Sequence, residues 1–97
     1  MSTPCKLTVY QIADVSTGHV TAEDGKKMGQ DTHAIAQVNG GYGTIFYTSP
    51  AAVEHMVKVG YSAAMLSIVQ HAQAQGIPYI RFDSDGAIIP DWPTFEW

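Results

Sequence analysis

Ninety-seven residues, 45% apolar and only 14% charged, specify one compact domain over residues 1–97 and argue against a disordered acidic tail. Five Lys and Arg against nine Asp and Glu give a formal net charge of -4, a field that repels phosphate backbones, so direct nucleic-acid binding is not expected. Cys5 is the single cysteine and cannot close an internal disulfide; with no leader-like N-terminus and no long apolar run, the chain reads as cytoplasmic, without membrane association.

In chain order, residues 6–14 (KLTVYQIAD) are rich in β-branched and aromatic side chains and predict a first strand, with Leu7, Val9 and Ile12 as its core contacts. Thr21 followed by Asp24 is a capping arrangement and predicts a short helix over residues 22–28, which Gly25 weakens. Residues 33–38 and 44–48 flank Asn39-Gly40-Gly41-Tyr42-Gly43, whose glycines permit positive φ, so a hairpin is expected. That glycine cluster lacks the lysine of a phosphate loop and the spacing of a dinucleotide fingerprint.

Ser49-Pro50 opens a helix over residues 51–58, with Val53, Met56 and Val57 on one side, and Gly60 ends it. Ser62 caps a further helix over residues 63–75, where Met65, Ile68, Val69 and Ala72 follow the i, i+3, i+4, i+7 rule and Gly76 is the stop. Residues 78–82 (PYIRF) alternate as a strand, with Tyr79 and Arg81 opposite Ile80 and Phe82. Asp83-Ser84-Asp85-Gly86 turns the chain, and residues 87–89 return as a short strand before Pro90 and Pro93. The order β-α-β-β-α-α-β(-β) is that of an α+β fold, a largely antiparallel sheet with helices packed on one face.

Candidate chemistry is sparse. His19, His33, His55 and His71 show no metal-ligand spacing, and Asp83-x-Asp85-Gly86 lacks the rest of a calcium loop, since Thr94 stands where a bidentate glutamate belongs. No metal, cofactor or catalytic residue is therefore assigned. An alternative site groups Asp14, Ser16, Thr17 and His19 at a strand end, where hydroxyls and an imidazole would have to converge as in a small enzyme or ligand-binding domain. The closing segment supports two readings. Trp92 and Phe95 fold back as a lid over the core, or Trp92 and Trp97 stay exposed beside Asp83, Asp85, Asp91 and Glu96 as an anchor-and-acid patch for a partner protein.

Several stretches carry a resemblance: Ser16-Thr17-Gly18-His19 with Thr21-Ala22-Glu23-Asp24, Tyr61-Ser62, Ala74-Gln75-Gly76, the run from Tyr79 through Asp83-Ser84-Asp85-Gly86, and Pro93-Thr94-Phe95-Glu96-Trp97. Together they resemble an uncharacterised small bacterial domain family of unknown function, associated with plasmids, phages and integrative elements. The resemblance implies an accessory factor of a mobile element, similar to anti-CRISPR or anti-restriction inhibitors, which occupy a basic surface of a nuclease or surveillance complex. Its partner would be a host protein or protein complex, with a CRISPR or restriction component as the specific version. A self-associating regulatory module is a further alternative.

Overall fold

The computed structural model describes residues 7–31, 34–38 and 43–96. Strand β1 (Ile12–Ser16) leads through a 3₁₀ turn (Thr17–His19) into helix α1 (Ala22–Gln30), and β2 (Ala36–Val38) and β3 (Gly43–Tyr47) follow. Helices α2 (Pro50–Val59) and α3 (Ala63–Ala74) then precede β4 (Tyr79–Asp83). The sheet runs β1-β4-β3-β2. Its β2–β3 and β3–β4 pairings are antiparallel, whereas β1 and β4 are parallel, so the α+β sheet is largely but not wholly antiparallel. Parallel pairing needs a long crossover, and residues 17–78, with all three α-helices, lie between these two strands.

Alternation divides the sheet into two faces. Val15, Phe46, Ile80 and Phe82 point into a core completed by Met28, Met56, Met65, Ile68, Val69 and Ala72 from the helices. Full burial of a side chain such as Phe82 stabilises the fold by about 2–3 kcal/mol. The α3 stripe read from periodicity is buried at all four positions, and Gly76 beyond it takes a φ of 72°. In α2, Met56 is buried but Val57 is 58% exposed, against expectation. Successive helical residues turn by about 100°, so with Met56 at the centre of the buried face its neighbour swings away.

The N-terminal expectation needs a larger correction. The strand starts at Ile12 rather than residue 6, because its partner β4 starts at Tyr79 and the two residues lie side by side. Leu7 and Val9 extend past the end of β4 and are 81% and 82% exposed, while Ile12 falls on the open face. Residues 87–89 form no strand: the Ser16 amide donates to the Ala87 carbonyl at 2.9 Å, but the next available amide, that of Ile89, turns to a side chain instead of a ladder. The expected glycine turn over residues 39–42 lies outside the described residues, as do Cys5, His33 and Trp97.

Candidate functional site

The closing segment separates into a turn and a strap. At the end of β4 the Asp83 carboxylate accepts the Asp85 amide at 2.9 Å, and the Gly86 amide donates to the Asp83 carbonyl at 2.9 Å, an Asx-type turn as the sequence suggested. Asp83 is thereby buried rather than offered to a partner, whereas Asp85, Asp91 and Glu96 are exposed. Trp92 is half-buried against the core, its ring 5.4 Å from His71 in an edge-on contact, so it serves as the lid. Phe95 lies at the surface at 38% exposure, its amide donating to the Gly18 carbonyl at 2.8 Å.

His19 pins this strap. It is 1% exposed, and both ring nitrogens meet backbone: Nδ1 donates to the Pro93 carbonyl at 2.7 Å, and Nε2 accepts the Ile89 amide at 2.8 Å. The partners fix the neutral Nδ1–H tautomer. Around it the grouped residues face different tasks. Ser16 Oγ accepts the Gly18 amide at 3.0 Å, and Asp14 accepts from Arg81 Nε at 3.0 Å. Asp14, bonded and opposite in charge, holds the Arg81 guanidinium above its ordinary pKa. Asp14, Ser16 and His19 are thus each engaged with a different partner.

The face of the sheet away from the helices is a second surface that composition alone conceals. Register sets Ile12 and Tyr47 on either side of Tyr79, and Asp14 and Ile45 on either side of Arg81. The Tyr79 ring lies 5.9 Å from that of Tyr10 and 5.4 Å from that of Tyr47, giving a row of three tyrosines across the sheet. Tyr10 is 63% and Tyr47 50% exposed, with Ile12 at 45% beside them. The signal was present in the sequence as tyrosines at strand positions, but it requires the pairing register to become one patch.

Two buried carboxylates tie the helices together, and sequence reading missed the longer-range halves of both. Asp24 completes the capping box expected at Thr21, and its other contacts reach the next helix pair: Oδ1 accepts the Ser62 amide at 2.8 Å and Oδ2 the Ser62 hydroxyl. Burial by itself pushes the Asp24 carboxyl up, but the hydrogen bonds from Ser62 and Thr21 outweigh it and hold the pKa below the ordinary value. At the other end of α1, Asp31 accepts the Tyr61 hydroxyl at 2.6 Å and the His55 Nε2–H at 3.0 Å. Burial, followed by the bond to Asp31 and the charges of Asp31 and Asp24, pushes the Tyr61 phenol far upward. No spacing rule joins positions 24 to 62 or 31 to 55 and 61, so only the fold exposes these pairs. Among the described residues no group of three His, Cys, Asp or Glu side chains is placed to hold a metal ion, and no helix is long and apolar enough to cross a membrane.

No curated protein and no solved structure matches this chain. Residues 12–97 match the family of unknown function DUF5983, in its C-terminal domain, and so span every described helix and strand together with the His19-pinned strap. The chain belongs to that family.

Proposed function

We propose that this chain is a non-enzymatic, cytoplasmic protein-binding module whose contact surface is the open face of the sheet. The observation that carries the reading is the tyrosine row of Tyr10, Tyr79 and Tyr47, flanked by Ile12 and Ile45. Tyrosine on a rigid strand supplies large contact area at little entropic cost, and aromatic anchors dominate the energetics of protein interfaces. A single-stranded nucleic acid also stacks on such platforms, but here Arg81 is engaged by Asp14 and the net charge is -4, which favours a protein partner.

The partner is a host protein or complex that offers an apolar contact bordered by Lys and Arg. The exposed Asp85, Asp91 and Glu96 steer that approach rather than anchor it. In its narrowest form the module is an inhibitor of host defence carried by a mobile element, covering a basic surface of a nuclease or surveillance complex; the acidic surface supports this form. The test is affinity capture from bacterial lysate with the wild type, a Tyr47→Ser/Tyr79→Ser variant and an Asp85→Asn/Asp91→Asn/Glu96→Gln variant. Identified partners should be lost from the tyrosine variant, with about tenfold or greater weakening, and captured more slowly but still captured by the acid variant. Equal capture by wild type and a folded tyrosine variant overturns the reading. Unaltered phage restriction and CRISPR interference in cells expressing the protein remove the narrow form.

A further inference from the structure

Away from the sheet face, the strap does not seal against α3. Between the first two turns of that helix and residues 91–93 lies a cavity of about 460 Å³, a volume within the range of small-molecule sites. Its body is apolar: Ala64 and Ile68 form the helix side, Trp92 and Pro93 the strap side. Two further polar residues line it, Ser67 and Asp91, together with His19, whose ring nitrogens are both occupied by backbone groups.

Asp91 is the unusual member. Its φ is 68°, a left-handed conformation that glycine or asparagine adopts more readily, and it is the single non-glycine residue with positive φ among the described residues. Among those residues no cationic side chain pairs with it, although Asp14 and Asp31 are paired and Asp24 is fully hydrogen-bonded. A carboxylate residue without a paired cation, next to a tryptophan in the lining of a largely apolar cavity, meets the requirements of one ligand chemistry. The carboxylate attracts a positive charge, the indole adds cation–π attraction, and the cavity accepts an apolar body. The overall charge of -4 raises the local concentration of cations further.

We propose that the cavity between α3 and the strap binds a small organic ammonium ion with an apolar or aromatic body, with Asp91 and Trp92 receiving the charge. The site is separate from the tyrosine row and does not depend on the protein-binding reading. Titration of a Trp97→Phe variant, in which Trp92 is the remaining tryptophan, follows binding by its emission. Phenethylamine and benzyltrimethylammonium are the probes; benzyl alcohol and phenylacetate are the neutral and anionic controls. The ammonium probes should saturate with a Kd of about 1 mM or tighter, as expected of ligands of this size, and phenylacetate should not bind. Asp91→Asn, which suits the left-handed backbone, should weaken the ammonium probes about fivefold and leave benzyl alcohol unchanged. Ala64→Leu fills the cavity and should abolish all binding while the circular dichroism spectrum stays that of the folded protein. Absence of saturation, equal binding of phenylacetate, or undiminished binding by either folded variant overturns the proposal.

Discussion

Replacing His19 with alanine removes two of the hydrogen bonds that hold the strap over the core, leaving that of the Phe95 amide to the Gly18 carbonyl. The ring is 1% exposed, so truncation leaves the Ile89 amide without its acceptor and the Pro93 carbonyl without its donor, and opens space behind them. An unpaired buried polar group costs about 1–3 kcal/mol, but Pro93 lies at the surface, where water can replace the imidazole on its carbonyl. The Ile89 amide is half-buried and carries most of the penalty; adding the lost packing, His19→Ala should destabilise the protein by about 3 kcal/mol. That is a large share of the roughly 5–15 kcal/mol typical of a domain, so urea unfolding should show a clearly lower midpoint. The loss should also be local. Hydrogen exchange at the Ile89 and Phe95 amides should accelerate more than at the β4 amides, and the Trp92 emission should shift to the red as its lid position loosens. A midpoint within about 0.5 kcal/mol of wild type, with unchanged Ile89 exchange, would refute the reasoning that His19 fastens the strap.

Asp24→Asn replaces a carboxylate that accepts from Thr21 and twice from Ser62 with a group that must aim an NH₂ at one of those donors, and chemical denaturation should report a loss of about 2–4 kcal/mol. Because the folded state holds the Asp24 pKa below its unfolded value of about 3.9, its contribution is full above that value and is lost as pH falls through the lower folded value. Denaturation midpoints measured from neutral pH down through this acid window should therefore decline less steeply in Asp24→Asn than in wild type. Gly86→Ala places a Cβ 2.5 Å from the Val15 carbonyl oxygen and 2.8 Å from the Ser16 amide nitrogen, both backbone atoms that cannot swing aside. Thermal unfolding should show a cost of about 1–3 kcal/mol, and a neutral result would mean that the turn after β4 yields more easily than its close approach implies.

Local rules carried much of the fold. The three helices begin where Thr21, Ser49 and Ser62 place a capping oxygen before a helical run, and each side chain accepts the amide expected of it. The α3 stripe and the alternation in β4 were legible because each element has a buried face on one side, which imposes a single period on its apolar residues. The first strand was misplaced for the complementary reason. Leu7 and Val9 have the composition of a strand, but strand residues acquire a core face only alongside a partner, and β4 provides one from Tyr79 onward. The apolar content of residues 87–89 predicts a strand, whereas the Ile89 amide is committed to His19.

The candidate surfaces follow the same division. The sequence by itself determined the fold class, the caps, the acidic balance and the Asx turn at Asp83, because each depends on residues a few positions apart or on composition. Only the tertiary structure decided that Asp83 is buried, that Trp92 closes the core, that His19 holds the strap and that Tyr10, Tyr47 and Tyr79 form one row. Those outcomes join positions up to 70 residues apart or more, as His19 and Ile89 do, and contacts of that separation are selected by which strands pair and in which register. Local propensity has no access to that choice, since the same tyrosines in a sheet shifted by one residue would face the core instead of the solvent.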